Sequence, residues 1–223
     1  TGRSHDTEKF PRTDHERMVE EIRAAGKPVE IIRIQELGGT SRAIQAGIDA
    51  AQRLVQEISG LQRETVDISE VVMAIKCGAS DTTSGMASNC VIGYVADKLV
   101  DLGATVVFGE TTEFLGGEHI LAKRAVGGEN GPIGQKIYEI VDRMEKRAKS
   151  VGEDMRGGQP TPGNIAGGLS SIEEKSLGAI VKSGHRPIQG VLEYCDRVDG
   201  QKGLWIKDAP GREPEILTGM AAT

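Results

Sequence analysis

Residues 71–75 (VVMAI) and 105–108 (TVVF) are two short apolar runs that decide the fold of this chain. A helical pattern that ends near Leu102 separates them, and continuous apolar runs of this length are typical of strands buried on both faces. Strands that alternate with helices usually form parallel sheets. The sequence therefore predicts an α/β fold, with an open, mainly parallel sheet and helices on both of its faces.

The same alternation extends in both directions from these runs. Upstream, a predicted helix over residues 14–25 precedes a predicted strand at 29–34. Downstream, helices lead to a glycine- and proline-rich loop at 157–168, and two further strands are predicted at 188–194 and 203–207. A long helix after Gly39 carries an apolar stripe that predicts a buried face, formed by Ile44, Ile48, Ala51, Val55 and Ile58. The arrangement is a Rossmann-like variant.

Composition and charge exclude two classes of partner. The 223-residue chain has a net charge of -6 and only 3% aromatic residues, without the basic clusters and stacking side chains that bind nucleic acid. No apolar run approaches the ~20 residues that a membrane span requires. Cys77, Cys90 and Cys195 form no Cys-x-x-Cys pair, which indicates reduced thiols and a cytoplasmic protein. We assign Cys90 and Cys195 to packing.

Two polar clusters directly follow the two central strands. The first spans residues 76–85 and the second spans residues 110–119. Because ligands bind beyond the carboxyl ends of parallel strands, both clusters are expected to line one crevice. Their thiol, carboxylates and imidazole suit a divalent metal such as Fe²⁺, Mn²⁺ or Zn²⁺. The candidate residues are Cys77, Ser80, Asp81, Ser84, Glu110, Glu113 and His119.

Each candidate also has a simpler structural interpretation. Cys77 fits a packed thiol as well as a metal ligand. Ser80 and Asp81 fit caps of the following helix. Solvated surface positions would equally suit His119, Glu110 and Glu113.

A third polar stretch, residues 159–178, contains Asn164 and Lys175. Its glycines permit close approach of the backbone to a ligand, and the helix that follows favours an anion at its start. Neither the Walker spacing nor Gly-x-Gly-x-x-Gly after a strand is present, which argues against a nucleotide. By itself, Lys175 is best explained as a surface lysine of that helix.

Taken in order, these segments resemble the altronate/galactarate dehydratase family. The chain departs from the family at Ala79, where a second glycine is usual, and at Cys90, where proline is common. The resemblance divides the chain into residues 1–37, an N-terminal helix and strand, and residues 38–223, a dehydratase-family domain expected to be incomplete at its C-terminus. The matching pieces are Gly38–Thr40, Lys76–Gly78, Ser80–Asp81, Ser84–Gly85, Asn89, Gly103–Thr105, Glu110, Glu113, Pro160, Pro162–Asn164, Gly167–Leu169, Glu174–Gly178 and Pro210–Gly211.

The resemblance implies a metal-dependent hydro-lyase that dehydrates a sugar acid to a 2-keto-3-deoxy acid. It implies Fe²⁺, with Mn²⁺ as the alternative, and we assign Cys77, Glu110 and Glu113 as the candidate ligands of this metal. It also implies a homo-oligomer, with a small N-terminal domain or subunit supplied separately. The remaining roles are hypotheses from the residues themselves, with catalysis assigned to Lys175, His119 and Asp81, and substrate binding to Ser80, Ser84, Asn89 and Asn164.

Two other functions remain open at this stage. A related carbon–sulfur lyase, resembling the large subunit of sulfolactate sulfo-lyase, eliminates sulfite instead of water. The hydroxyl-rich residues 81–85 and the segment 109–111 favour it, because sulfonate oxygens accept hydrogen bonds from hydroxyl groups. The other alternative is a non-catalytic ligand-binding or dimerisation module of a larger enzyme.

Overall fold

The N-terminal part of the chain forms a helical unit. The computed structural model describes residues 12–221 and 223 and divides into two compact units, Thr1–Thr65 and Val66–Thr223. The described part of the first unit contains helices α1 (Arg12–Ala24) and α2 (Thr40–Ser59). The strand predicted at residues 29–34 is wrong, because this segment has no regular secondary structure. The family-domain boundary after residue 37 stays a prediction.

Helix α2 is amphipathic as predicted, but its apolar stripe is not buried. The buried positions of α2 are Ala43 and Ala50 instead. A hydrophobic period of 3.6 residues identifies a helix and its apolar face, but not what covers that face. The exposed residues of the predicted stripe are Ile44, Ile48, Ala51, Val55 and Ile58.

The second unit is built on a parallel sheet. Its strands are β1 (Val72–Ile75), β2 (Thr105–Phe108), β3 (Ile188–Leu192) and β4 (Gly203–Lys207), and in the described residues they form one sheet in the order β1-β2-β4-β3. All neighbouring strands are parallel. The predicted α/β class and all four strands of this unit are confirmed.

Seven further helices occur among the described residues of this unit. One correction concerns the predicted loop at residues 157–168, which contains the end of α6 and the whole of α7. Asp154 and Thr161 cap these helices with their side chains, and Pro162 occupies the first turn of α7, where its missing N–H group is tolerated. The helices are α3 (Asn89–Asp101), α4 (Glu118–Lys123), α5 (Pro132–Ser150), α6 (Met155–Gly158), α7 (Pro162–Ala166), α8 (Ile172–Ile180) and α9 (Glu213–Ala221).

Alternate residues of the central strands enter different apolar clusters. Val106 and Phe108 of β2 belong to the largest cluster, together with residues of α4, α5 and α8. Val107 lies in a smaller cluster with Trp205 of β4. Both faces of the sheet are therefore buried at its centre, and the strand ends present the polar residues.

Two sequence expectations concern the surface of the molecule. Cys90 and Cys195 are exposed, so their assignment to packing is wrong; Cys90 is on the outward side of α3, and Cys195 lies in the loop after β3. Within the described part of the chain, none of the helices has both the length and the apolar character for crossing a bilayer.

Candidate active site

Three side chains that the sequence predicts as metal ligands converge at the carboxyl ends of β1 and β2. Cys77 follows β1 after a single lysine, Glu110 follows β2 after a single glycine, and Glu113 ends the short helical turn Thr111–Glu113. One ligand atom from each lies within 4.8 Å of the others. Both carboxylates are buried, and Cys77 is half-buried. The register of neighbouring parallel strands thus joins two segments more than thirty residues apart in sequence.

The backbone at Glu110 adopts a conformation that a non-glycine residue rarely takes. Its φ of 68° and ψ of 72° lie in the left-handed region, and such strain is concentrated at functional sites. The carboxylate is held on one side by Cys77, whose backbone N–H group donates to Oε2 at 2.6 Å and whose thiol donates to Oε1 at 3.1 Å.

Cys77, Glu110 and Glu113, here called the acidic cluster, bring three acidic groups together in a buried space. Burial and the charges of Glu113 and Glu110 raise the pKa of the Cys77 thiol to about 12. Burial and the charge of Glu113 likewise raise the pKa of Glu110. Burial would lower the pKa of Lys76, but its hydrogen bond to Glu213 and the charge of Glu110 outweigh this and raise it. The Lys76 ammonium lies 3.4 Å from Glu110 Oε1 and so partly balances the charge.

Glu113 contributes an oxygen atom that has no hydrogen-bond partner among the residues that the structure describes. Its Oε2 accepts a hydrogen bond from Lys182 at 2.7 Å. Its Oε1 is buried and makes no hydrogen bond with the described residues, and buried polar atoms in this state commonly bind an ordered water, an ion or a ligand. A thiolate and two carboxylates are a donor set that suits Fe²⁺, Mn²⁺ or Zn²⁺.

Lys175 belongs to a second polar group, which is linked to the loop after Cys77. Its ammonium donates to Gln159 Oε1 at 2.8 Å and to Asn164 Oδ1 at 3.3 Å. The amide of Asn164 in turn donates to the backbone oxygen of Ser80 at 2.8 Å, and Ser80 is three positions after Cys77. The third polar stretch of the sequence is therefore attached to the first.

A cavity of about 290 Å³ opens beside this second group. Asp81 caps the turn at its wall, accepting from the backbone of Ser84 at 2.7 Å and from the Thr83 hydroxyl at 2.8 Å. The residues that follow form a π-helical turn, Ser84–Ser88, a feature often found at functional sites. The residues that line the cavity include Ser80, Asp81, Ser84, Asn89, Lys175 and Gly178.

Comparison with known proteins assigns the family. The sequence profile described as D-galactarate/altronate dehydratase, C-terminal, matches residues 68–223. The chain belongs to this family. The match covers the whole sheet and every residue of the cluster and the cavity, and it confirms the resemblance found in the sequence.

Three curated relatives of this dehydratase family were compared with the chain. (2R)-sulfolactate sulfo-lyase subunit beta from Chromohalobacter salexigens is 42% identical over 208 residues, which are 93% of this chain and 52% of the relative. Galactarate dehydratase (L-threo-forming) from Escherichia coli is 38% identical over 78% of this chain and 32% of the relative. Altronate dehydratase from Bacillus subtilis is 32% identical over 86% of this chain and 37% of the relative. The chain thus spans about half the length of the first relative and about a third of the other two.

Most of the site residues predicted from the sequence fall into these two groups. His119 is the exception, since it is exposed on α4 and makes no hydrogen bond or ion pair with the part of the chain that the structure describes. Sequence reasoning gave no role to Lys76, Gln159 or Lys182. A lysine that directly follows a short apolar strand was an available signal for Lys76, whereas no local pattern distinguishes Lys182 from a surface lysine.

Proposed function

We propose that this dehydratase-family protein is a metal-dependent hydro-lyase that removes water from a small sugar acid, such as altronate or galactarate. The observation that carries the proposal is the convergence of Cys77, Glu110 and Glu113 at the rim of the sheet. The chain covers only part of its relatives, so the proposal concerns the complete protein.

The residues present fit a divalent metal ion, with Fe²⁺ as the first choice and Mn²⁺ as the alternative. Cys77, Glu110 and Glu113 would hold it. Glu113 Oε1, which makes no hydrogen bond within the described part of the chain, supports this fit. When bound, such an ion supplies positive charge that stabilises the negative charge developing on the substrate carboxylate as the neighbouring carbon loses its proton.

Lys175 is the chain's own candidate for proton transfer. The amide oxygens of Gln159 and Asn164 fix its ammonium at one wall of the cavity. From there, Nζ would donate a proton to the departing hydroxide, which leaves as water and is a poor leaving group without an acid. The amine left on Lys175 would then accept the proton that the carbon next to the substrate carboxylate loses, which restores the ammonium. The exposed His119 has no such support.

The wall of the cavity offers few unused hydroxyl groups. The hydroxyl groups of Thr82 and Ser84 donate to the backbone oxygens of Gly167 and Asp81, and that of the adjacent Thr83, outside the lining, donates to the Asp81 carboxylate. The Ser80 hydroxyl has no hydrogen-bond partner among the described residues and is the one we assign to a substrate oxygen. The hydroxyl groups that favoured a sulfonate in the sequence are thus used inside the loop, which favours water over sulfite as the leaving group.

Product formation by the full-length protein tests this proposal. Aldonates and aldarates would be incubated with anaerobic Fe²⁺, and 2-keto acids would be measured. Formation of a 2-keto-3-deoxy acid from one of them is expected. If the whole panel gives no product, the hydro-lyase proposal is wrong.

Sulfolactate sulfo-lyase activity is the second candidate. It is favoured by the 42% identity over 93% of this chain to a sulfo-lyase subunit, a higher identity and coverage than the dehydratases give. Release of sulfite from (2R)-sulfolactate, without 2-keto acid from sugar acids, would decide for it. The expected homo-oligomer, the separate N-terminal domain and the cytoplasmic location stay predictions.

Replacing Lys175 with methionine is expected to lower kcat by about 10²–10⁴-fold, the usual contribution of a positioned acid. Metal binding should be unchanged, because Lys175 contacts Gln159 and Asn164 instead of the acidic cluster. Steady-state kinetics and metal titration measure the two effects. Lys123→Met, at an exposed position of α4, is the matched control. A Lys175→Met protein with normal kcat would remove Lys175 from the mechanism.

A further inference from the structure

Lys182 forms a buried ion pair with a residue of the acidic cluster. Its ammonium lies 2.7 Å from Glu113 Oε2, and both side chains are only 3% exposed. The ammonium also lies 5.8 Å from the centre of the Phe108 ring. It has therefore lost nearly all contact with water, and its charge acts inside the protein.

Stability is a poor explanation for this pair. Removing two charges from water has a large unfavourable free energy, and a buried pair is often no more stable than apolar residues of the same volume. The pair also leaves Glu113 Oε1 buried without a partner in the described chain, which adds a further unfavourable contribution. An arrangement that holds one carboxylate oxygen and leaves the other free points to a ligand at the free oxygen.

The backbone that carries Lys182 is held by a buried polar framework. Lys182 lies in the short turn Val181–Ser183 after α8. Arg124, which is half-buried, donates to the Ser183 hydroxyl at 2.8 Å and to the Ser183 backbone oxygen at 3.0 Å. Asp97 of α3 accepts from the backbone N–H groups of His185 and Arg186 at 2.7 Å and 3.1 Å. Through these contacts, Arg124 and Asp97 together restrict the backbone of residues 183–186, directly after Lys182.

Close packing against α3 also restricts the turn Val181–Ser183. A Cβ atom at Gly93 would lie 2.2 Å from the Val181 backbone oxygen, so only glycine permits this approach. The backbone of Lys182 is therefore fixed in position, and its side chain extends from there to Glu113. This precision is what a supporting residue of a metal site requires.

We propose that Lys182 is a positioning residue for the metal ligand Glu113. Its ammonium binds Oε2 and thereby directs Oε1 toward Cys77 and Glu110. It also reduces the repulsion among the acidic groups, so that the three ligands stay together. This role rests on the metal site of the proposed function, and it predicts that Lys182 controls metal affinity without contacting the substrate.

The test measures binding of Co²⁺ to the full-length protein under anaerobic conditions. Titration gives the affinity, and absorption from the thiolate–cobalt bond reports on Cys77. Lys182→Met is expected to weaken Co²⁺ binding by about 10–100-fold, the usual effect of losing a residue that orients a metal ligand. Lys182→Gln, which keeps an N–H donor for Glu113, should fall between this variant and the original protein. Leu121→Ala opens a cavity in the same apolar core and serves as the matched control for lost stability, with its affinity within about twofold.

The outcomes separate this inference from the proposed function. If the original protein does not bind Co²⁺, the metal site itself is wrong. If it binds Co²⁺ and Lys182→Met binds equally well, the positioning role is wrong and the metal site stands. If neither Lys182 variant folds while Leu121→Ala does, the ion pair serves folding, and the proposal is overturned.

Discussion

Replacing Glu110 with glutamine is expected to abolish turnover and to weaken Fe²⁺ binding about 100-fold or more. The change removes one of the negative donors while preserving shape and volume. Glutamine can still accept the hydrogen bond from the Cys77 backbone, so the loop geometry should survive. Anaerobic titration with Fe²⁺ and measurement of 2-keto acid formation would give the two effects separately.

A matched control exists for this substitution. Glu129→Gln makes the same chemical change beside Tyr138, outside the acidic cluster, and should leave turnover and metal affinity within about twofold. Retention of metal binding by Glu110→Gln would remove this residue from the ligand set. Loss of activity in both variants would instead indicate a general sensitivity to lost charge.

Replacing Lys207 with methionine is expected to destabilise the protein by about 3 kcal/mol. Lys207 is fully buried at the end of β4, and burial lowers the pKa of its ammonium group. The ammonium donates to the backbone oxygens of Tyr194, Asp196 and Gly219 at 3.3, 2.9 and 2.8 Å. Methionine fills a similar volume but leaves these carbonyl groups without that donor. The midpoint of thermal unfolding should fall by roughly 10 °C.

The control for this variant replaces an exposed lysine that also donates a hydrogen bond to a backbone oxygen. Lys202→Met removes an exposed ammonium that donates to the Ser69 backbone oxygen at 2.6 Å, and the expected change is within about 0.5 kcal/mol. Equal unfolding midpoints for Lys207→Met and the unchanged protein would contradict the anchoring role of Lys207.

The strands of the sheet were predictable because each is a short apolar run between polar turns. The run at residues 29–34 has the same pattern, yet it forms no strand. A strand is defined by hydrogen bonds to a neighbour, and the described part of its unit contains no other strand. Side-chain periodicity measures the tendency to be buried and carries no information about pairing.

The same distinction applies to the candidate site. Cys77 and Glu110 could be placed together because the carboxyl ends of parallel strands share one rim. Lys182 could not, since its contact with Glu113 joins residues 69 positions apart through the packing of α8 and its following turn. The resemblance to a family supplied the chemical roles, whereas elementary rules about strands supplied the location of the metal ligands.

The left-handed backbone of Glu110 creates a trade-off between thermal stability and metal binding in this protein. Glycine would adopt that conformation without strain, yet the glycine of this segment stands one position earlier, where a Cβ atom would lie 2.7 Å from Met220. The glutamate therefore adds about 1–3 kcal/mol of strain to the folded state. An engineer who selected only for heat resistance would be led to glycine at position 110, and the hardier protein would lack a metal-binding carboxylate.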